Sequence, residues 1–502
     1  MAALEIELKI DPPALGAPLD GKSWIFASAL AIIFMAALEG TIVATAMPTI
    51  VGFLGGFDLF SWVFSAYFLT QAITIPIYGR LADIKGRKPI LLLGIGLFLF
   101  GSLLSGFAWS MTSLIAFRII QGLGAGSLVP IAQTIVGDIY SGEQRARMQG
   151  YVSSVFGSAA ILGPTVGSFL VVYTHWSLVF WINIPVGIVA GIMLAANLKE
   201  KYPKRYQRID YLGAMLLTLS TTLLMFALIR VAVLSSLAII SLIVSSVFLF
   251  SVLIWYERRV SEPMLPIKLF RNRIVAGGNT ICLANGIIMM GIVAFLPAYM
   301  QGVMGTSALL AGLALVAMAV AWPVGGFIGS RLMLWCSYRI SATIGGVILV
   351  AGSLVMMALG PTVVPAWAIT GALLIGFGIG ITNICFVVSV QSSVDQNQRG
   401  SATSSLLFMR IVGQALGAAV FGGMLNIGLA GVTENGIDLV GRMMRAGPRQ
   451  GLDAAMGAFT HSLHNMYLVN GLLALVVLGS TLALPSGLNL IRQSNRHRQS
   501  AE

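Results

Sequence analysis

Charge is what this sequence has least of. Only 10% of its 502 residues are Asp, Glu, Lys or Arg, against about 25% in an ordinary soluble domain. Another 57% are hydrophobic, and the mean hydropathy is +0.91. No water-soluble core hides that much apolar surface, so a soluble globular protein is excluded. Acid is scarcer than base, 18 residues against 30. In a membrane protein the resulting net charge of +12 reflects basic cytoplasmic loops rather than a nucleic-acid partner. Only three cysteines occur, Cys282, Cys336 and Cys385, each in or beside an apolar run and without paired spacing, so neither a disulfide framework nor a zinc site is indicated. The four histidines, His175, His461, His464 and His497, accompany no nucleophile, which argues against an enzyme. His461 and His464 stand at helical spacing, and a metal pair there is the alternative to two unrelated side chains. No metal or cofactor is expected.

What is abundant is long apolar runs. A helix needs about 20 apolar residues to cross ~30 Å of hydrocarbon, and fourteen runs qualify: 24–47, 60–80, 90–109, 113–138, 148–172, 177–197, 211–230, 234–256, 275–300, 308–330, 340–359, 365–390, 401–430 and 465–486. The 57 glycines suit close packing between membrane helices. Lys and Arg in short loops stay on the cytoplasmic side. Of the 30, Arg230, Arg442, Arg445 and Arg449 fall in loops of one parity and Arg118 and Arg410 inside runs; the rest lie in the other loops and the tails. Both termini are therefore expected inside. The segment 1–22, acidic at Glu5, Glu7, Asp11 and Asp20, is read as a retained cytoplasmic lead, because the first run is too long for a signal peptide. Within it, Gly16-Ala17-Pro18-Leu19-Asp20-Gly21-Lys22-Ser23 satisfies the phosphate-loop pattern letter for letter. A nucleotide site also needs a parallel sheet and a magnesium-binding acid, for which there is no room, so the match is taken as chance and ATP-driven pumping is rejected.

A weak internal repeat lays the first six runs on the last six. Arg80 falls on Arg331, and Gly122-Leu123-Gly124-Ala125-Gly126 on Gly376-Phe377-Gly378-Ile379-Gly380. The expected organisation is a lead (1–23), a first six-helix bundle (24–200), a two-helix insert with a cytoplasmic connector (201–273), a second six-helix bundle (274–486) and a cytoplasmic tail (487–502).

The densest polar signal in the apolar background is Gly79-Arg80-Leu81-Ala82-Asp83-Ile84-Lys85-Gly86-Arg87-Lys88-Pro89. Its glycines permit a tight turn, and Asp83 among four cations is suited to bridging helix ends. This stretch resembles the signature loop of the major facilitator superfamily. Arg118-Ile119-Ile120-Gln121-Gly122-Leu123-Gly124 resembles that superfamily's Arg-plus-glycine motif, and Gly163-Pro164-Thr165-Val166-Gly167 the motif of its antiporters. Leu38-Glu39-Gly40-Thr41-Ile42-Val43-Ala44-Thr45-Ala46-Met47-Pro48 is similar to the signature of the fourteen-span drug:proton antiporters, the EmrB/QacA type. Trp181-Ile182-Asn183-Ile184-Pro185 and Arg399-Gly400-Ser401-Ala402-Thr403 agree with that branch. There are departures: Glu39 replaces the usual Asp, Ala44-Thr45 the common Asn-Val, Ala159 and Ser168 differ in span 5, and Leu334 stands at the place of Asp83 in the repeated loop. The resemblance implies an all-α membrane protein of two six-helix major-facilitator bundles plus a two-helix insert.

Glu39 stands out on physical grounds, as the one acid well inside a run. An acid in hydrocarbon costs on the order of 3 kcal/mol and is retained mainly for a function, which makes Glu39 a candidate proton carrier, with a neutral glutamic acid bonding a neighbouring backbone as the alternative. Arg118, lying at a similar level, is expected to share an outer aqueous cavity with it and, by resemblance, to tune proton release. Asp138, with Arg145 and Arg147, extends the loop's charge network at a cytoplasmic gate, or is simply solvated. Tyr67, Gln71, Asn279, Asn285, Met290, Gln301, Asn383, Arg410 and Gln414 are candidates to line a substrate cavity, with a helix-end partner as the alternative for Arg410. The function expected is proton-coupled export of hydrophobic, cationic drugs or dyes by alternating access, in a monomer of the bacterial plasma membrane whose partners are protons, small hydrophobic substrates and membrane lipid. Export of one physiological lipid, siderophore or metabolite is the alternative, and a non-transporting sensor or scaffold the remaining one.

The split of basic residues predicts that cysteines introduced between Glu434 and Asp453 react with an impermeant thiol reagent in intact cells, while those between Lys199 and Arg208 do not. Labelling of both segments from outside would break the fourteen-span topology.

Overall fold

A computed structural model describes residues 21–140, 142–199, 210–231, 233–260, 267–360, 363–394, 398–430, 453–482 and 484. Hydrocarbon offers the backbone no hydrogen-bond partners, so spanning segments satisfy their own peptide groups as helices. The described residues accordingly form helices and no strand. Fourteen helices are long and apolar enough to cross a membrane. They are α1 (Gly21–Leu54), α2 (Phe60–Lys85), α3 (Arg87–Gly106), α4 (Met111–Ile139), α5 (Gly142–Tyr173) and α6 (Leu178–Asn197). There follow α7 (Tyr211–Ile229), α8 (Ser236–Glu257), α9 (Arg273–Gly302), α10 (Ala308–Trp335), α11 (Tyr338–Met357), α12 (Ala366–Ser392), α13 (Arg399–Ala430) and α14 (Asp453–Thr481). The face where α1 begins is called proximal below, and the face where it ends distal. Most of the phosphate-loop match, 16–20, and the labelling segments 434–452 and 200–208 lie outside the described residues.

Helix starts are written locally. Asp210, Ser235, Asn272, Ser307 and Ser337 each accept a backbone N–H of the first turn through the side chain, and Ser110 forms a reciprocal capping box with Ser113. Two boundaries differ from expectation. α1 continues through Pro48 to Leu54 instead of stopping at residue 47, since a proline inside a membrane helix is tolerated where neighbouring helices support it. α14 starts at Asp453, not 465, so that His461 and His464, read as lying beside the span, ride within it. In α6, Pro185 has no N–H to give the Trp181 carbonyl, and the helix is interrupted at Ile182.

The packing repeats. α1 lies against α4, α5 and α6, and α4 against α2 and α3. The second bundle repeats each pairing: α9 against α12, α13 and α14, and α12 against α10 and α11. The bundles meet through α2 with α13, α5 with α10, and α1 with α9. Of the insert, α7 packs on α2 and α13, whereas α8 pairs mainly with α7 and is apolar and open to lipid along most of its length. At the distal face, Phe60 contacts Phe295 at 5.5 Å and Phe57 contacts Phe459 at 6.1 Å between ring centres. Asn426 there donates to the carbonyls of Asp58 (3.0 Å) and Ile229 (3.4 Å).

The glycine repeat explains the matched pairings. In a helix, residues four apart share a face and the residue between them points away. Gly122 and Gly126 of α4 face α2 at Thr70 and Thr74, while Gly124 faces α3 at Phe98. Gly376 and Gly380 of α12 face α10 at Met318 and Trp322, while Gly378 faces α11 at Leu349. A Cβ on Gly378 would stand 2.7 Å from the Leu349 backbone, whereas one on Gly96 of α3 meets nothing within 4 Å. Gly378→Ala is therefore expected to lower stability by about 1–3 kcal/mol and Gly96→Ala to be neutral, as read by thermal unfolding in detergent. Equal effects of the two would remove this glycine from the packing account.

Candidate functional site

Glu39 and Arg118 meet in the middle of the first bundle. Glu39 is 0% exposed and Arg118 1%, with Glu39 about 15 residues, or ~22 Å, from the distal end of α1. The shared aqueous cavity expected from the sequence is absent: the pair is sealed inside protein, because α1 runs one and a half turns past Pro48 and the bundle closes around it. Arg118 Nη1 donates to Glu39 Oε1 in an ion pair and to Gln121 Oε1 at 2.6 Å. Its Nε donates to the Val63 carbonyl at 3.3 Å. The other carboxylate oxygen accepts from Asn183 Nδ2 at 2.6 Å. Gln121 in turn donates to Ser102 Oγ at 2.7 Å. The guanidinium carbon stands 4.0 Å from the centre of the Tyr67 ring and 5.9 Å from that of Phe180. Every helix of the first bundle except α5 thus contributes an atom to one charge pair. α5 contributes indirectly: Gly163 and Gly167 lie on α1 at Thr41 and Thr45, so that α1 is held closely beside it. α5 also meets the second bundle: Gly157 lies by Pro323 of α10, and Ser168 Oγ donates to the Ala308 carbonyl at 3.2 Å.

The signature loop lies at the proximal face. Gly86 adopts φ +94°, a conformation that L side chains avoid, so the second glycine is fixed by the turn between α2 and α3. Gly79 is unconfined. Arg87 pairs with Asp138 at the end of α4. Lys88 donates to the Ala195 and Leu198 carbonyls at 2.6 and 2.9 Å, where a cation suits the C-terminal end of α6. Asp83 is exposed and no described side chain bonds to it, and among the described residues the acid joined to this loop's cations is Asp138. The side chains of Arg145 and Arg147 lie outside the described residues.

The cavity candidates divide. Tyr67 belongs to the charge pair, and Gln71 sits one turn along α2 beside Gly126. Met290 is buried beside Gly417 of α13, and Gln301 is at the distal end of α9. The others gather within the second bundle. Asn285 donates to Thr382 Oγ1 at 3.3 Å, Cys282 Sγ lies 4.0 Å from Asn383 Oδ1, and Gln414 reaches Met289 Sδ at 3.4 Å. Arg410 stands 5.5 Å from the Trp322 ring centre, and Asn279 lies one turn from Cys282 on α9.

Over residues 29–418 the chain matches the profile described as Major Facilitator Superfamily. The chain belongs to the major facilitator superfamily. It is 35% identical over 393 residues to multidrug resistance protein 3 of Bacillus subtilis (strain 168), covering 78% of this chain and 77% of that protein. It is 33% identical over 405 residues to the multidrug transporter protein MdtP of the same organism, covering 78% and 73%. Among solved structures it superposes on a bacterial homologue of the human lysosomal transporter Spinster with a TM-score of 0.67, at 16% identity over 93% of this chain and 98% of that one. The protein is a multi-pass membrane transporter and not an enzyme.

Asn183, Gln121 and Ser102 were given no role by sequence reasoning, although Asn183 and Gln121 lie in quoted motifs. The signal available was an amide in the middle of an apolar run, which costs free energy unless it is bonded. Removing one member of a buried pair costs about 3–5 kcal/mol, while replacing both with apolar groups is often neutral. Arg118→Met should lose stability on that scale in thermal unfolding, and Glu39→Leu combined with Arg118→Met should recover most of it. A double variant as unstable as the single one would show that the pair is not the unit.

Proposed function

We propose that this transporter exports hydrophobic compounds in exchange for protons, with the proximal face cytoplasmic, as a monomer of the bacterial plasma membrane. The observation that carries this reading is the sealed pair of Glu39 and Arg118. A carboxylate held by an arginine and an amide inside hydrocarbon is stable only while the pairing lasts. Protonating Glu39 leaves Arg118 charged, buried and without its counter-ion, a state that costs several kcal/mol until the helices move and water reaches it. Taking up or releasing one proton at Glu39 therefore biases α1, α4 and α6 between two arrangements, as two-state coupling requires. Alternating access of two bundles around a central site is the motion that such a bias would drive. The names of the two Bacillus relatives support a multidrug cargo. The expectation of a cationic cargo does not carry over: the carboxylate a cation would need is already taken by Arg118 and Asn183, and no other acid lies in the interior of a described span.

In liposomes with an imposed pH gradient, Glu39→Gln keeps the shape and one acceptor for Arg118 but holds no exchangeable proton. It should abolish gradient-driven transport and leave downhill exchange of substrate intact, and Glu39→Asp should keep partial activity with a shifted pH optimum. Full gradient-driven transport by the Gln variant would remove Glu39 from the mechanism. Proton movement that follows a single compound in a panel of dyes, lipids and metabolites would assign the protein to one physiological substrate.

A further inference from the structure

Away from the helix ends the described spans of the second bundle hold one charge, Arg410, and no acid to balance it. Between Arg273 and Ala430 the sequence has a single acid, Asp395, in the proximal connection from α12 to α13. Arg410 lies about 11 residues, or ~16 Å, into α13 and so near mid-membrane. Its guanidinium faces inward, beside the Trp322 ring of α10 and close to Cys282 of α9. Among the described residues it makes no ion pair and donates no hydrogen bond, and it is partly accessible where Arg118 is sealed. The helix-end partner considered from the sequence is therefore not there. One turn to either side of Cys282 on α9, Asn279 and Asn285 each bury an amide oxygen that has no partner. Those amide oxygens lack a donor, whereas the Arg410 guanidinium lacks an acceptor, and only the latter calls for an anion.

The contrast with the first bundle decides what is missing. Arg118 has its carboxylate, two further hydrogen-bond partners and a tyrosine face. A charged arginine in hydrocarbon is retained where it pairs with something or serves transport, and Arg410 has an aromatic face but no anion. We infer that the anion comes with the cargo: Arg410 is the docking point for an oxyanion such as a carboxylate, and the transporter prefers lipophilic monoanions to cations. A guanidinium grips a carboxylate through two parallel hydrogen bonds, and the Trp322 ring beside it offers apolar surface to the rest of such a molecule. A cation would enter span interiors that hold two arginines against one glutamate. The inference rests on the proton-exchange reading and adds an electrical consequence. One anion leaving for each proton entering moves two charges per cycle, so an inside-negative potential alone drives export, whereas exchange for a monovalent cation moves none.

The test uses the full chain in liposomes with a fluorescent lipophilic carboxylate and its neutral methyl ester. The native protein should show a lower KM for the acid, and an inside-negative potassium-diffusion potential at equal pH should accelerate its export. Arg410→Gln is expected to lower the selectivity for the acid, read as the ratio of the two KM values, at least tenfold, and Arg410→Lys to keep part of it. An unchanged ratio in Arg410→Gln, loss of both compounds together in Arg410→Gln and Arg410→Lys, or a native preference for a lipophilic cation would overturn the assignment to Arg410. The proton-exchange reading fails separately, if transport of every compound ignores both the pH gradient and Glu39→Gln.

Discussion

A carboxylate and a guanidinium have been taken out of water together, and the first bundle is arranged so that neither is left alone. Glu39 comes from α1, Arg118 and Gln121 from α4, Asn183 from α6, Ser102 from α3, and Val63 and Tyr67 from α2. In a medium that rewards no polar group, each of these partners is needed to hold the others, and a shift of any one helix loosens bonds made by several. On the proposed reading, this is what would give a single proton leverage over the bundle. The glycines at which α5 approaches α1, and at which α4 approaches α2 and α3, supply the close contact that makes the arrangement stiff.

The two bundles share a scaffold and differ in charge. The three glycines of α4 and the three of α12 face equivalent neighbours in the same order. Nothing in the second bundle answers to the pair: it has a polar cluster with one unbalanced arginine in its place. A duplicated architecture thus carries two different electrostatic duties, one closed on itself and one open to a partner. The bundles touch through α1 with α9, α2 with α13 and α5 with α10, which are the contacts that a rocking motion of the proposed kind would have to remake.

Helix number was legible because hydrocarbon imposes length and apolarity on every span, and the fourteen runs reappear as fourteen helices. Glu39 drew attention in the sequence because a lone acid in an apolar run is costly unless it is paired or neutral, and the structure pairs it with Arg118. The boundaries that misled, at Pro48 and at His461 and His464, are places where local chemistry argues for a stop and tertiary support overrules it. Asn183 was hidden for another reason: it is one amide among several, and only the fold shows that it reaches Glu39 from 144 positions away. The burial of the pair was likewise invisible, since depth along a helix says nothing about what closes over it. For the signature loop, spacing identified the turn at Gly86, but the partner of Arg87 is Asp138 from the next helix pair rather than the nearer Asp83.

The central claim is that Glu39 itself carries the proton. Infrared difference spectroscopy of the protein in lipid, recorded between acid and neutral pH, reads this without any transport step. A protonated carboxylic acid in an apolar site has a carbonyl stretch distinct from that of a carboxylate. The account predicts that such a band appears on acidification of the native protein and is missing from Glu39→Gln. A band of full intensity in the Gln variant, or none in the native protein at any pH at which it transports, would contradict it.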